Sequence, residues 1–254
     1  MFHDHFSKTA SQYARFRPTY PRELFSFLAS TTPNNALAWD CGTGNGQAAV
    51  GLADYFDKVV ATDPSEAQLN HAVLCDRVHY ECCSEGECGL KDGSVDLVTA
   101  AQAFHWFDAD VFFKEAKRVL KPAGAIAIWC YGTPAIGGKA GFVFKVFHEE
   151  ILAPYWPPER QLVDSGYGDI QLPFEEIESP SFGISKSMEL QNFLGYVSTW
   201  SATQSYIEDT GADPIIVLTE RFHKNSLTNE DQVEVSWKIH IRVGHNKHSR
   251  KVSR

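Results

Sequence analysis

The sequence predicts an α/β fold in which a doubly wound, mostly parallel sheet is covered by helices on both faces. Between residues 36 and 132, short apolar runs alternate with amphipathic stretches of helical period. The runs are continuously apolar, which is typical of parallel strands buried on both faces. A turn with three glycines joins the first run to the next helix. Right-handed crossovers between such strands give the doubly wound order.

The predicted elements begin with a leader, residues 1–35, that contains helical pieces. Pro21 suits the first turn of a helix, because that position needs no N–H donor. Leu24, Phe27 and Leu28 then share one face of a helix over residues 21–30. The breaker-rich run TTPNN, residues 31–35, ends this helix.

Five strands and three helices are predicted in residues 36–132. The strands are buried apolar runs, and the helices are amphipathic or carry an N-cap residue such as Ser65. The run KPAG, residues 121–124, is predicted as the turn that ends the third helix. The predicted strands are 36–40, 58–62, 78–82, 94–101 and 125–131, and the helices are 47–56, 65–74 and 109–120.

The last third of the chain is less regular. Its predicted helices are 141–152, 187–200 and 204–224, the last broken between Gly211 and Pro214, and its predicted strands are 174–179 and 233–243. Because no linker or repeat divides the chain, we predict one domain over residues 1–254 that carries a helical insertion. Its parts are N-terminal cap helices (1–35), a core (36–132), the C-terminal part of the sheet with the insertion (133–245) and a flexible tail (246–254).

Composition limits the function classes. The 254 residues are 43% hydrophobic and carry a formal net charge of −9, which disfavours nucleic acid as a partner. No apolar run approaches the ~20 residues of a membrane span. The start of the chain lacks the layout of a signal peptide, so we expect a cytoplasmic protein whose six cysteines are reduced thiols.

The most informative motif is LAWDCGTGNGQAA, residues 37–49. Its glycines at 42, 44 and 46 allow positive φ angles and a close approach of the backbone to a ligand. The dinucleotide pattern G-x-G-x-x-G/A would need a small residue where Gln47 stands. Asp40, two residues before the first glycine, would repel a pyrophosphate but accept from an ammonium group. Asp63, at the end of the second predicted strand, is placed to accept from two ribose hydroxyls, which fits either kind of cofactor.

At these residues the chain resembles the class I S-adenosylmethionine-dependent methyltransferases, specifically the type-11 methyltransferase family. Relatives include the trans-aconitate methyltransferase and plant embryo-abundant-type proteins. The resemblance runs through most of the chain and is most specific in FSKTASQYARFRPTYP, AWDCGTGNGQAA, VVATDPSEAQL, SVDLVTAAQAFHWFD, RVLKPAGAIAIWCYG, YWPPERQLVDSGYG and WSATQSYIEDTG.

The resemblance implies a Rossmann-like methyltransferase fold, whose seven-stranded sheet has one antiparallel strand, here 235–243, and whose inserted helices form a substrate lid. S-adenosylmethionine is the implied cofactor, at the carboxyl ends of the strands. The implied cofactor-binding residues around the methionine moiety are Asp40, Gly42, Thr43 and Gly44, and Asp63 is implied for the ribose. Ser84 and Glu85 are implied for the adenine, and Ala101 and Gln102 would lie near the sulfonium. The leader contributes Tyr13 and Arg17, with Arg17 on the methionine carboxylate. Relatives often carry Ala-Glu where this chain has CSEGE (83–87), so a solvated loop is the alternative for Glu85.

Further candidates line the expected cleft. His105 is a candidate general base, because its ordinary pKa lies near neutrality, and packing in the cleft wall is the alternative. Tyr20, Trp106, Tyr196 and Trp200 are candidate substrate or lid residues, with aromatic packing as the alternative. No metal site is expected, because Cys82, Cys83 and Cys88 lack the paired spacing of zinc ligands.

We therefore predict methyl transfer from S-adenosylmethionine to a small molecule. The family's amino-group methylating members often carry N-P-P-Y where this chain has AQAF, residues 101–104. This difference disfavours an exocyclic amino group as the methyl acceptor. With His105 as the one candidate base, an oxygen nucleophile that is already ionised, such as a carboxylate, is the expected acceptor. The alternatives are a nicotinamide-dependent oxidoreductase, a protein that binds the cofactor without turnover, and a methyltransferase for RNA or protein.

Overall fold

The computed structural model describes residues 16–246, so residues 1–15 of the predicted cap, which include Tyr13, and residues 247–254 lie outside the described residues. The strands are β1 (Leu37–Cys41), β2 (Lys58–Asp63), β3 (Val78–Cys82), β4 (Val95–Ala101), β5 (Leu120–Tyr131), β6 (Ala135–Ile136), β7 (Glu175–Ile177), β8 (Phe182–Glu189) and β9 (Gln232–His245).

The α-helices are Arg22–Ser30, Gln47–Ala53, Glu66–Leu69, Ala109–Val119, Gly138–Phe147, Arg160–Asp164, Leu190–Ser198, Ser201–Thr210 and Pro214–Lys224. Short 3₁₀ turns span Phe104–Trp106 and Ala153–Tyr155, and a π-helical turn spans His148–Leu152. No helix among the described residues is both long enough and apolar enough to cross a membrane.

The chain divides into two compact units. Among the described residues, the sheet unit comprises 19–131, 162–182 and 239–246, and the helix-rich unit comprises 16–18, 132–161 and 183–238. The strand β9 contributes residues 232–238 to the helix-rich unit and 239–245 to the sheet unit.

The sheet unit has the strand order β3-β2-β1-β4-β5-β9, and β7 also pairs with β9. Strands β1 to β5 are parallel, and β9 runs antiparallel to both β5 and β7. The mixed α/β fold with a mostly parallel sheet is therefore confirmed, and β9 is the antiparallel strand. A core that includes Trp39, Val98, Phe112 and Ile128 lies against this sheet.

Three predicted elements of the sheet unit need correction. The helix predicted over 65–74 ends at Leu69, because the following loop bonds to distant groups: Val73 N–H donates to the Asn45 carbonyl at 3.1 Å, and the Tyr80 hydroxyl donates to the Val73 carbonyl at 2.8 Å. Residues 121–124 are not a turn but belong to β5. There the Ala123 N–H donates to the Asn246 carbonyl, and the Asn246 N–H donates to the Gly124 carbonyl. Pro21 is the N-cap of its helix and not a first-turn residue.

The helix-rich unit holds the four helices that end at Phe147, Ser198, Thr210 and Lys224, and also β6 and most of β8. The predicted break between Gly211 and Pro214 is confirmed, with Gly211 at φ +71° ending one helix and Asp213 capping the next. The helix predicted from Ser187 begins instead at Leu190, because the residues before it form β8, which pairs with β9.

Candidate active site

The glycine turn, residues 42–46, lies between β1 and the helix Gln47–Ala53 in the sheet unit. Gly42, Gly44 and Gly46 have φ angles of +67°, +56° and +86°. A Cβ on Gly42 would lie 2.5 Å from the Ala103 Cβ and 2.8 Å from the Phe107 Cζ, whereas the nearest atom to a Cβ on Gly44 would be the Gln68 Oε1 at 4.0 Å. Gly42 is therefore fixed by packing, while Gly44 borders open space that a side chain would fill.

Asp40 lies beneath the glycine turn with none of its surface exposed. Its Oδ2 accepts from the Thr43 hydroxyl at 2.6 Å, and its Oδ1 accepts from the Thr99 hydroxyl on β4 at 2.7 Å. Burial raises the pKa of Asp40 to about 6, although the hydrogen bonds from Thr43 and Thr99 oppose this shift. Because the carboxyl group is enclosed, it orients the turn through Thr43.

Asp63 ends β2 and joins this strand to the turn. Its Oδ2 accepts from the Gly44 N–H at 2.8 Å, and its Oδ1 accepts from the Ser65 N–H at 2.9 Å. The side chain is 9% exposed. Hydrogen bonds to an ionised group are stronger than neutral ones, so Asp63 holds the backbone of Gly44 beside the open space described above.

Three residues outside the predicted set of site residues complete this region. Tyr80 on β3 lies against Gly46, where a Cβ would meet its hydroxyl, and burial raises its pKa to about 12. Ala103 and Phe107 enclose Gly42. Parallel register is the signal that could have found Tyr80, because it lies opposite Ala61, two residues before Asp63.

Ser84 and Glu85 follow β3 at the surface of the sheet unit. Ser84 is exposed and Glu85 is half-buried. The Glu85 Oε1 accepts from the Asp108 N–H at 3.1 Å, just before the helix that starts at Ala109. This contact gives Glu85 a structural role, and adenine recognition by the pair stays a prediction.

Gln102 follows β4 in a left-handed conformation with a φ of +54°, which is uncommon for a residue other than glycine. Its Nε2 donates to the Tyr131 carbonyl at 3.1 Å, and its Oε1 accepts from the Tyr131 N–H at 2.8 Å. The side-chain amide thus acts as an extra peptide group that extends the β4–β5 pairing past Ala101, whose partner in β5 is Trp129.

His105 and Trp106 lie in the 3₁₀ turn after β4. The His105 Nδ1 is 2.8 Å from the Tyr167 hydroxyl, and the imidazole and the Trp106 ring lie 4.9 Å apart between centroids. Burial raises the pKa of Tyr167 well above its ordinary value, so this phenol stays protonated. His105 is itself only 9% exposed.

The structure thus brings Asp40, Gly42, Thr43, Gly44 and Asp63 together at one end of β1 and β2. Tyr20 belongs to the same unit, with its ring edge-on to Trp129 at 5.5 Å.

The remaining candidates group in the helix-rich unit. The Arg17 guanidinium lies 5.4 Å from the Tyr196 ring centroid and donates to the Thr199 carbonyl at 3.3 Å. Tyr196 and Trp200 lie 5.5 Å apart between ring centroids. Arg17, Tyr196 and Trp200 therefore form a set of their own.

Comparisons with known proteins identify the family. Residues 39–128 match the family described as "Methyltransferase domain". A "Putative methyltransferase" of Dictyostelium discoideum is 36% identical over 247 residues, which cover 94% of each chain. A solved structure, a "Putative Type II Methyltransferase" from Anaeromyxobacter dehalogenans, is 40% identical, covers 91% of this chain and 99% of its own, and superposes with a TM-score of 0.84. The chain is a class I S-adenosylmethionine-dependent methyltransferase.

A yeast relative carries the same activity in its description. The "Probable S-adenosylmethionine-dependent methyltransferase CRG1" of Saccharomyces cerevisiae is 25% identical, with 82% of this chain and 84% of that protein covered. The methyltransferase's methyl donor is S-adenosylmethionine, so the dinucleotide interpretation of the glycine turn is not adopted. The trans-aconitate-like subfamily stays a prediction.

Proposed function

We propose that this methyltransferase methylates a small molecule on an oxygen that is already ionised, such as a carboxylate. The observation that carries this proposal is the state of His105. Its Nδ1 is engaged with the hydroxyl of Tyr167, a buried phenol that stays protonated. When the Tyr167 hydroxyl donates to Nδ1, the neutral imidazole carries its own proton on Nε2 and has no lone pair left to take a proton from a neutral hydroxyl, whereas a carboxylate acceptor needs no base.

We further propose that the glycine turn holds the methyl donor. Its chemistry fits the donor: Gly44 borders open space, and Asp63 beside it offers a carboxylate to ribose hydroxyls. Thr43, positioned by the buried Asp40, would lie at the methionine moiety. Ser84 and Glu85 after β3, and Ala101 and Gln102 after β4, are proposed as its other neighbours.

When bound, S-adenosylmethionine supplies a methyl group on a positively charged sulfur, which makes that carbon electrophilic. The protein's part is to orient and to exclude water, because approach geometry accounts for much of such catalysis. Gln102 fixes the ends of β4 and β5 relative to each other. His105 and Trp106 stand directly after β4 and form part of the wall there.

The test combines calorimetry with an acceptor screen. S-adenosylmethionine and S-adenosylhomocysteine should bind, and mass spectrometry of reactions with small carboxylic acids should show a methyl ester. Products methylated on neutral amines or neutral alcohols alone would contradict the proposal. Cofactor binding without any product across the panel would favour a protein that binds without turnover. Methylation of RNA would move the acceptor to a different class.

A further inference from the structure

An aromatic–arginine cluster lies within the helix-rich unit. We define it by Phe144, His148, Trp156, Arg160, Tyr196 and Trp200. The Trp156 and Trp200 rings lie 5.3 Å apart, the Tyr196 and Trp200 rings 5.5 Å, and His148 lies 6.0 Å from both Trp156 and Trp200. Trp200 and Tyr196 are buried, whereas Trp156, His148 and Arg160 are half-buried. The cluster therefore has an apolar floor and a polar rim.

Two buried hydrogen-bond donors lie in this cluster, the Trp156 indole N–H and the Tyr196 hydroxyl. The Trp156 Nε1 is buried and has no hydrogen-bond partner among residues 16–246. The Tyr196 oxygen accepts from the Trp237 Nε1 at 3.0 Å, and within the same described range no acceptor is found for the hydroxyl proton. Buried polar groups are nearly always paired, so two buried donors without an acceptor point to a ligand that supplies one.

Two guanidinium groups add positive charge to the same place. The Arg160 guanidinium stacks on the Trp156 ring at 4.1 Å and donates to the Thr133 hydroxyl at 2.8 Å. Burial raises the pKa of Tyr196, and the charges of Arg17 and Arg160 both oppose that rise, so both cations lie close enough to act on its hydroxyl. A planar guanidinium beside aromatic rings is suited to bidentate binding of a carboxylate.

We propose that the aromatic–arginine cluster binds the carboxylate of a ligand that carries a flat apolar group. The carboxylate takes the donors of Arg160, Trp156 and Tyr196, and the apolar group packs on the aromatic floor. This inference rests on the proposed function in one respect, namely that the ligand is the methyl acceptor. The binding site itself is independent of that step.

The experiment uses phenylacetate as the probe and phenylacetamide as its neutral counterpart of similar shape. Binding to the full chain is measured by calorimetry and by NMR of the Trp156 indole N–H, which the Trp156→Phe variant assigns. We expect phenylacetate to bind at least tenfold more tightly than phenylacetamide and to shift the Trp156 signal, since hydrogen bonds to charged groups outweigh neutral ones.

Variants locate the charge that binds the probe. Arg160→Gln should weaken phenylacetate binding about tenfold or more and leave phenylacetamide binding unchanged. The matched control is Arg221→Gln, because Arg221 is also a partly buried arginine of the helix-rich unit but lies outside the cluster, where it pairs with Glu150 at 3.1 Å. This control should bind phenylacetate like the parent protein.

Three outcomes would overturn the proposal: no binding of phenylacetate, equal affinity for the acid and the amide, or the same loss in both arginine variants. Trp156→Phe keeps an aromatic ring but removes the N–H together with part of the ring surface, so it tests the same site if Arg160→Gln fails to fold. Methyl transfer is not measured here. If the methyl acceptor proves not to be a carboxylate, these binding results can therefore still be interpreted.

Discussion

The glycine turn and the aromatic–arginine cluster offer opposite hydrogen-bonding chemistry. Beside the turn, Asp63 presents a carboxylate, and Asp40 lies buried beneath it. In the cluster, Arg160, Trp156 and Tyr196 present donors. The first region suits hydroxyl and ammonium groups, and the second suits an anion. Under the two binding proposals, ligand groups of unlike charge would therefore bind to different regions of the chain.

The two regions are also held together differently. The turn is fixed by short hydrogen bonds from backbone N–H groups and threonine hydroxyls to carboxylates. The cluster is fixed by ring packing, with tryptophan and tyrosine centroids 5 to 6 Å apart. Substitutions in the turn should therefore act through backbone geometry and protonation, and those in the cluster through packing and charge.

The largest effect is expected from Gly42→Ala, which tests whether the shape of the turn is fixed by packing. The alanine backbone must adopt a φ of +67°, and its added Cβ lies 2.5 Å from the Ala103 Cβ. Strain and overpacking together should lower the free energy of unfolding by about 2–5 kcal/mol. Urea denaturation measures this. Gly93→Ala is the control, because Gly93 has a φ of +60° and nothing within 4 Å of the added atom. An equal loss in both variants would mean that packing against Gly42 is unimportant.

A second effect concerns the protonation of Asp40. Its pKa in the folded protein is about 6, against 3.8 ordinarily, because it is buried. The folded state therefore holds this proton more tightly, and the free energy of unfolding should fall by about 3 kcal/mol as the pH rises from 3 to 7. Denaturation at several pH values measures the slope, which Asp40→Asn should remove. Asp54→Asn, at an exposed acid, should leave the slope unchanged, and a slope that survives Asp40→Asn would contradict the assignment.

Asp63→Ala removes the hydrogen-bond acceptor that lies beside the glycine turn. Loss of the carboxylate removes the bond to the Gly44 N–H and the proposed bonds to the ribose. Binding of S-adenosylhomocysteine should weaken by roughly 1.5–3 kcal/mol, as measured by calorimetry. Asp54→Ala is the control at an exposed acid. Unchanged binding in Asp63→Ala would remove this residue from the cofactor site.

The smallest effect is expected at Gln102. Gln102→Ala keeps the left-handed backbone but loses both amide bonds to Tyr131, which should cost about 1–2 kcal/mol of stability. Gln102→Gly loses the same bonds but relieves the strain at φ +54°, so it should unfold at a higher temperature than Gln102→Ala. Thermal denaturation compares the two. If Gln102→Ala were the more stable, the strained backbone at this position would have no measurable cost.

The sequence predicts the parallel strands well because their burial leaves a continuous apolar signal. β3 is predicted to the residue, and β4 begins one residue later than predicted. The glycine turn, with Asp40 before it and Asp63 after it, can likewise be predicted from the sequence, because backbone positions with a positive φ favour glycine. The early end of the helix at Leu69 cannot be predicted from the local sequence, because it depends on hydrogen bonds with Asn45 and Tyr80 from other elements.

The cluster shows the same limit more strongly. The sequence singles out Tyr196 and Trp200 as aromatic residues of late helices. Arg160 lies in the motif YWPPERQLVDSGYG but receives no role there, and His148 lies in no motif. Arg160 stacks on Trp156, and the Trp156 ring lies 5.3 Å from that of Trp200, although the two tryptophans are about forty residues apart in the chain. The strand β8 is missed for a related reason, because its residues become a strand only by pairing with β9. Non-local pairing leaves little pattern in the residues themselves.

The Gln102 side chain has a consequence for sequence comparison and protein engineering. Its amide stands in for a missing peptide unit, so the position requires a donor and an acceptor at one fixed distance from the backbone. Asparagine is too short, glutamate lacks the donor, and lysine lacks the acceptor. We therefore expect glutamine at this position in homologous chains whose β4 and β5 strands are joined in the same way. A designer who grafts these strands onto another scaffold must carry that one residue along with them.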